Sequence, residues 1–387
     1  MSDSLSESVP LKAIPKSERF YFLDHLRGAV IFWVILHHVA IGYGILASKW
    51  WYVADTQRNS IFDWFVCAND IFMMPVMFFV AGYFGLLSLN RHSVSHFWKS
   101  KLLRIVLPWI GGVLLLAPLF RYMTFFSRPP APPFFQFWPN MFFQPQIFDQ
   151  SHFWFLGLLA WFYLFLTILC YCRPSLLQPH SEPVRPSLFL FFSLCVFCAI
   201  TIFGAMMVTS RDAWINNLYI VAFQPSRLLE YAAYFACGCF AWRCRWFYSA
   251  GGYIPHFQFW LSAAVVTLMA FLAYRVSIPV FSTPATKAIY ALLHSFFCLS
   301  MFFFLMSAFQ RFFNRPASPV ITQWCNNSYQ IYFIHQLIVL PLAYLVQPFL
   351  IASLIKFIAV AGCSVLLSYL LALLLNSFLK LLTSKQT

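Results

Sequence analysis

The sequence predicts an all-α, polytopic membrane protein with about ten transmembrane helices. Of the 387 residues, 61% are hydrophobic and only 9% are charged, a composition outside the range of soluble globular domains. Apolar runs of about 20 residues, the length needed to cross a hydrocarbon core ~30 Å thick, recur along the chain. We expect each run to form a helix, because unpaired backbone groups cannot face lipid.

The ten predicted spans are separated by short polar loops and occupy residues 20–47, 61–89, 102–120, 152–172, 188–209, 217–242, 256–274, 286–309, 328–350 and 352–380. An even number of spans puts both termini on one side of the membrane. The segments on that side carry fifteen Lys and Arg against eight on the opposite side, so the positive-inside rule predicts cytoplasmic termini, N-in and C-in. We therefore expect a multi-pass protein of the cytoplasmic (inner) membrane, with one transmembrane domain at residues 20–382 between cytoplasmic tails at 1–19 and 383–387.

The net charge of +14 does not indicate nucleic-acid binding. The 25 Lys and Arg are scattered in ones and twos between apolar runs instead of forming one patch, as the positive-inside rule predicts. The 11 cysteines lie mostly inside apolar runs and lack the paired CxxC spacing of zinc or iron–sulfur sites. The sequence therefore predicts a lipid bilayer as the environment, no nucleic-acid partner and no metal site.

One segment on the predicted external side has an unusual composition. Residues 117–147 are dense in Pro, Phe and Trp, and the prolines prevent a regular spanning helix. Aromatic rings there could anchor the chain at the lipid interface or stack on sugars. Interface anchoring is the favoured interpretation, and sugar stacking stays open.

The first span contains ionisable residues that a lipid-facing helix would not tolerate. It reads LDHLRGAVIFWVILHHVAIGYG, and an Arg or Asp at a helix centre costs roughly 2.5–3.5 kcal/mol on insertion scales. Arg27 and His38 are eleven residues apart, so they share one helix face within about 20° and lie ~16 Å apart along the axis. Asp24 is one turn before Arg27 and can pair with it, whereas His37 points about 80° away. We expect this polar stripe to face the bundle interior and to mark a path from the cytoplasm to a histidine deep in the membrane.

Polar residues in other spans could converge on that path. Asp70, His294 and His335 lie well inside predicted spans, and His152 opens the fourth span from the external side. For each of them a hydrogen-bonded structural role and a catalytic role stay open. His38 is favoured as catalytic, because it shares a face with Arg27.

A basic stretch precedes the third span on the predicted cytoplasmic side. It reads HSVSHFWKSKLLRIVLPW, and its spacing of three places Lys101 and Arg104 on one helix face. Positive-inside anchoring is one interpretation. The other is a binding site for an anionic cofactor, since ammonium and guanidinium groups are the usual partners of phosphate.

Five sequence blocks, taken in order, resemble those of the acyltransferase family 3 membrane proteins, most of all the glucan biosynthesis protein C branch. The blocks are LDHLRG with a histidine eleven residues after its arginine, IFMMPVMFFVAGYF, KSKLLRIVLPW, SHFWFLGLLAWF and NNSYQIYFIHQLIVL. The resemblance extends from about Phe20 to Leu345. No single block is specific to the family, but the five blocks in this order are strong evidence for the resemblance.

The resemblance implies transfer of an acyl group from cytoplasmic acyl-CoA to a hydroxyl of a glycan. Arg27 and His38 match the family's essential arginine and histidine, and Arg27 would also help to hold the donor. Lys101 and Arg104 match its RxxR motif, here KLLR, in which lysine keeps the charge but loses the bidentate fork. They would bind the CoA phosphates.

In this mechanism, His38 acts as a general base on the acceptor hydroxyl or carries the acyl group itself. Position gives Asp24 and Asp70 an orienting role and gives His152 a role at the outer mouth. Acetyl and succinyl donors are both compatible with the sequence. So are glucan, exopolysaccharide, lipopolysaccharide and lipid-linked sugar acceptors.

Two other classes of protein remain as alternatives. In a transporter or flippase for a glycan or lipid-linked substrate, the buried polar residues would line a permeation path without covalent chemistry. In a membrane b-type cytochrome, His37 or His38 would bind haem together with His294 or His335. An acyl-CoA requirement separates the enzyme from both alternatives.

Overall fold

The structure is a computed structural model that describes residues 19–46, 50–216, 219–248 and 252–384, so most of both predicted tails lies outside the described residues. The described ranges contain helices and no β-strand, and one isolated β-bridge pairs Ile215 with Phe223. The helices are α1 Tyr21–Tyr43, α2 Ser60–Arg91, α3 Val94–Phe126, α4 Phe134–Phe143, α5 Ser151–Cys172, α6 Leu188–Val208, α7 Pro225–Arg243, α8 Phe257–Ser277, α9 Pro284–Phe312, α10 Pro319–Asn326, α11 Ser328–Ile334, α12 Gln336–Val346 and α13 Ser353–Ser384.

The predicted fold class, an all-α polytopic membrane protein, is confirmed. Among the described residues, eight helices are long and apolar enough to cross a membrane, or nine if α11 and α12, which meet at an angle of 47°, form one bent span. The predicted sixth span corresponds to α7, which begins only at Pro225 and carries Arg227 and Glu230. Helix α7 is not among these candidates, which are counted by length and composition only, and the count of about ten spans stays a prediction.

Helix α3 is continuous but irregular. It contains two π-helical segments, Leu102–Val106 and Gly112–Leu116, and ends at Phe126, well beyond the predicted end of the third span. The Pro-rich segment that follows contributes only the short helix α4. The expectation that residues 117–147 do not form a regular spanning helix is therefore met.

Helices α2 and α7 approach each other closely through two glycines. A Cβ at Gly82 would meet the Phe235 carbonyl oxygen at 2.0 Å, and a Cβ at Gly238 would meet the Phe79 carbonyl oxygen at the same distance. Only glycine allows backbones to approach this closely. The crossing holds the charged helix α7 inside the bundle, where Glu230 is fully buried.

Candidate active site

Three histidines from different helices meet inside the bundle, and we call His38, His152 and His335 the histidine cluster. Nδ1 of His38 lies 2.8 Å from Nε2 of His335, and the two rings stack with centroids 4.9 Å apart. The His152 ring centroid is 4.7 Å from that of His335 and 6.3 Å from that of His38. The direct hydrogen bond leaves no space for a haem iron between the joined nitrogens of His38 and His335.

The bend between α11 and α12 places His335 in this cluster. His335 is the residue between the two helices, and its Nδ1 lies 2.6 Å from the carbonyl oxygen of Tyr332. His152, at the start of α5, is fixed from the same segment, because its Nε2 faces the Phe333 carbonyl oxygen at 3.3 Å. The Tyr332 hydroxyl donates to the His152 carbonyl oxygen.

These partners determine which nitrogen of His38 is free. A carbonyl oxygen only accepts, so Nδ1 of His335 carries the proton and donates to Tyr332. In a neutral His335 ring, Nε2 then accepts, and the proton between the rings belongs to Nδ1 of His38. This arrangement leaves Nε2 of His38 as an unprotonated nitrogen with a lone pair, the form that a general base or nucleophile requires.

The loop between α1 and α2 covers the histidine cluster on the predicted external side. The Trp51 ring stacks on His38, with centroids 5.7 Å apart and planes 6° apart. Arg128 donates to the Trp51 carbonyl oxygen at 2.8 Å, and the Tyr52 hydroxyl donates to Oδ2 of Asp149 at 2.6 Å. Burial raises the pKa of Tyr52 well above its usual value, and the Asp149 carboxylate raises it further, so the hydroxyl keeps its proton.

A buried ion pair ties the same loop to α13. Nζ of Lys356 lies 2.9 Å from both carboxylate oxygens of Asp55, and both side chains are almost completely buried. Gln347 also donates to the Ala54 carbonyl oxygen at 2.9 Å. The loop is therefore held from several elements in the position where Trp51 covers His38.

Arg27 lies at the other end of α1 and contacts the segment that carries His335. Its Nε donates to Oγ of Ser328 at 3.1 Å, and its Nη2 donates to the Cys325 carbonyl oxygen at 3.2 Å. The predicted pairing with Asp24 is present at 3.4 Å. The close approach depends on Gly28, where a Cβ would meet Sγ of Cys325 at 2.7 Å.

The predicted shared face of Arg27 and His38 is confirmed by these contacts. Arg27 binds residues just before and at the start of α11, and His38 binds the residue just after it. Asp24 and Cys325 also line a cleft beside Arg27 at the predicted cytoplasmic end of the bundle. Residues 325–335 therefore connect that cleft to the histidine cluster.

Two predicted site residues lie in a separate group that we call the charged cluster, made of Asp70, Arg227, Glu230 and His294. Nη2 of Arg227 binds Oδ2 of Asp70 at 2.8 Å, and its Nη1 binds the Asp70 carbonyl oxygen at 3.0 Å. Nε2 of His294 lies 3.1 and 3.2 Å from the carboxylate oxygens of Glu230, and both side chains are fully buried.

The sequence left open whether Asp70 and His294 converge on the Arg27–His38 path, and in the structure they are hydrogen-bonded to Arg227 and Glu230, respectively. Asp70 is held by Arg227, a residue outside the predicted site. His37 lies between the two clusters, because its ring centroid is 5.5 Å from that of His38 and its electrostatic partner is Asp70. Among the described residues, no hydrogen bond joins Asp70 to a ring of the histidine cluster.

Lys101 and Arg104 are not among the contacts of Arg27. Nζ of Lys101 is 4.3 Å from the ring centroid of Tyr163 and 4.9 Å from that of Phe97, a cation–π arrangement that anchors α3 to α5. Arg104 is exposed. In the described ranges, no hydrogen bond or ion pair joins either residue to Arg27.

Sequence reasoning missed several residues of the site. Glu230 lies three residues after Arg227 in a predicted span, and this charged pair was a usable signal. Trp51 gave no usable sequence signal, because the stacking of a loop tryptophan on His38 depends on the three-dimensional fold. The pairing of Ser151 with Gln336, at 2.8 Å, is likewise visible only in three dimensions.

Comparison with known proteins gives a family match across most of the chain. A family model described as an acyltransferase domain matches residues 20–373. The chain is 26% identical over 167 residues to the Glucans biosynthesis protein C of Shigella dysenteriae serotype 1 (strain Sd197) and of Escherichia coli (strain K12). Each match covers 40% of this chain and 38% of the relative, so it spans well under half of the relatives' length. No solved structure gives a significant match.

Proposed function

The chain belongs to this acyltransferase family, and on that premise we propose that it moves an acetyl or succinyl group from cytoplasmic acyl-CoA to a hydroxyl of a glucan or another envelope polysaccharide. The fold and the family make it a multi-pass membrane acyltransferase. The donor, the acceptor and a location in the inner membrane are parts of the proposal. The name of the relatives, Glucans biosynthesis protein C, supports a glucan as the acceptor.

The observation that carries the proposal is the 2.8 Å contact between Nδ1 of His38 and Nε2 of His335, from which we infer that Nε2 of His38 is unprotonated. As the acceptor hydroxyl approaches, its proton passes to Nε2 while its oxygen attacks the thioester carbonyl carbon. The resulting imidazolium keeps its Nδ1–H bonded to His335. When the C–S bond breaks, the proton on Nε2 passes to the departing thiolate, which gives the ester and free CoA.

Arg27 would guide the donor towards His38. Its guanidinium lies beside the cleft at the predicted cytoplasmic end and is still one-third exposed although it pairs with Asp24. The thioester arm would pass along residues 325–335, which contact both Arg27 and His38. Lys101 and Arg104 stay candidates for the CoA phosphates. The contact of Arg27 with Asp24 and Cys325, which line the cleft, favours that cleft as the entry.

The test is mass spectrometry of envelope glycans from a host that lacks such an enzyme and expresses the intact chain or the His38→Ala variant. The proposal predicts a mass increment of one acetyl or succinyl group only with the intact chain. An increment that persists with a well-expressed His38→Ala variant contradicts the role of His38. Absence of any increment, together with no acyl-CoA consumption by the purified chain, contradicts acyl transfer and favours the transporter.

A further inference from the structure

A buried guanidinium with two unpaired nitrogens lies near the predicted external end of the bundle. Arg275, in the last turn of α8, is only 8% exposed, and among the described residues its buried Nε and Nη1 have no hydrogen-bond partner. A buried charge is unfavourable unless it is paired and hydrogen-bonded. Arg275 is hydrogen-bonded to the neutral Cys67 thiol, but in the described ranges its Nε and Nη1 lack an acceptor and its charge lacks an anionic partner.

A second guanidinium lies beside it on the same aromatic ring. Cζ of Arg275 is 5.0 Å from the Phe281 ring centroid, and Cζ of Arg211 is 5.6 Å from the same centroid. Both guanidiniums also act electrostatically on the Cys67 thiol. The two positive charges are therefore neighbours in a partly desolvated site.

The carboxylates nearby are engaged elsewhere. Asp212 binds Arg211, with Nε 2.8 Å from Oδ1, and Asp70 binds Arg227 at 2.8 Å. Each takes one guanidinium, and in the described part of the chain no ion pair joins a carboxylate to Arg275. A neutral water molecule could satisfy its N–H groups but would not offset the charge.

We propose that Arg275, with Arg211, binds an oxyanion, either a carboxylate or a phosphate group, at the predicted external end of the bundle. The guanidinium fork of Arg275 matches the two oxygens of such a group. The ring of Phe281 orients this fork, and Arg211, whose Nε and Nη2 bind Asp212, adds a second positive charge beside it. The oxyanion is part of the polysaccharide acceptor or of a lipid headgroup, and the two sources share the same recognition chemistry.

The position of the site connects it to the histidine cluster. Cys67, next to both guanidiniums, lies one turn before Asp70 on the same side of α2. Asp70 in turn acts electrostatically on His37, whose ring is 5.5 Å from that of His38. Asp70 and His37 therefore lie between the proposed oxyanion site and His38. Use of the site by an acceptor rests on the proposed function, whereas oxyanion binding itself does not.

The experiment measures the thermal unfolding midpoint of the full chain in neutral detergent, with inorganic phosphate or succinate compared with chloride at equal ionic strength. We expect one of the two oxyanions to raise the midpoint of the native protein and to leave that of Arg275→Met unchanged. Without added oxyanion, Arg275→Met unfolds at the same or a higher temperature than the native protein, because it removes an unpaired buried charge. The matched control, Arg315→Met, changes an exposed arginine at the opposite end and keeps the oxyanion response.

A second arm identifies a lipid source. If vesicles or nanodiscs with phosphatidylglycerol stabilise the native protein but not Arg275→Met, and soluble oxyanions have no effect, the bound group is a lipid phosphate. Equal responses of the native protein and Arg275→Met, or no response of the native protein to phosphate, succinate or lipid, overturn the proposal. If Arg275→Met fails to fold, Arg275→Lys provides the test, with binding of the effective oxyanion expected to weaken at least about tenfold through loss of the fork. Unchanged binding by Arg275→Lys contradicts the proposal.

Discussion

The histidine cluster and the charged cluster lie on opposite sides of His37. They differ in the kind of partner that stabilises their buried polar side chains. In the charged cluster each ionisable side chain is matched, Arg227 by Asp70 and His294 by Glu230. In the histidine cluster the partners of the rings are other imidazoles and backbone carbonyls, such as that of Tyr332. The charged cluster contains carboxylates that pair with Arg227 and His294, whereas in the described ranges the partners of the rings in the histidine cluster include no carboxylate.

The difference separates a structural role from a chemical one. The ion pair of Arg227 with Asp70 and the hydrogen bonds of His294 with Glu230 hold α2, α7 and α9 together. The histidine cluster instead ends in Nε2 of His38, which neither His335 nor its carbonyl partner engages. Changes in the histidine cluster should therefore lower activity with little effect on folding, and changes in the charged cluster should do the reverse.

The largest expected effect is that of His38→Gln. This change removes the base but keeps a polar side chain, so acyl transfer should fall by about 10²–10⁴-fold while the unfolding midpoint changes little. The matched control is His37→Gln, which alters the adjacent ring outside the cluster and should keep most of the activity. Measured rates of acyl-CoA consumption by both purified variants check this, and equal losses would show that the two histidines are not distinguished.

A smaller loss is expected from His335→Ala. Without His335, nothing fixes the proton on Nδ1 of His38, so a fraction of molecules carry it on Nε2 and are inactive, and the rate should fall by about 10–100-fold, as for other groups that orient a catalytic imidazole. The same acyl-CoA assay measures the rate. His335→Asn, which can still accept a hydrogen bond, should recover part of it, and full activity of His335→Ala would contradict the orienting role.

The smallest effect on activity is expected from Glu230→Ala, which should instead lower the free energy of unfolding. His294 would lose a charge-assisted hydrogen bond inside the bundle, at a cost of about 2–3 kcal/mol in the free energy of unfolding. Chemical denaturation in detergent measures the loss, and activity per folded molecule should stay near that of the native protein. If Glu230→Ala instead unfolds normally but is inactive, the charged cluster takes part in the chemistry.

Much of the fold and part of the site could be predicted from the sequence. Apolar run length gave the helices, and helical periodicity placed Arg27 and His38 on one face, because both signals are local. The sixth span was predicted to begin at residue 217, but α7 begins only at Pro225, a residue type that favours the first turn of a helix.

Contacts between distant segments could not be predicted in the same way. The bond from His335 to His38 depends on a bend between α11 and α12. The assignment of Asp70 to a different cluster depends on the glycine crossing of α2 and α7, which brings Arg227 to it. Periodicity identifies the face of a helix but not the helix that the face contacts.

The most direct test of the central claim is nitrogen NMR of the full chain in nanodiscs, with its 10 histidines labelled with ¹⁵N and the His38 signals assigned by their loss in His38→Gln. The account predicts a neutral His38 ring with a protonated Nδ1 and an unprotonated Nε2, and loss of this preference in His335→Ala. A His38 ring that carries its proton on Nε2, or on both nitrogens, would contradict it.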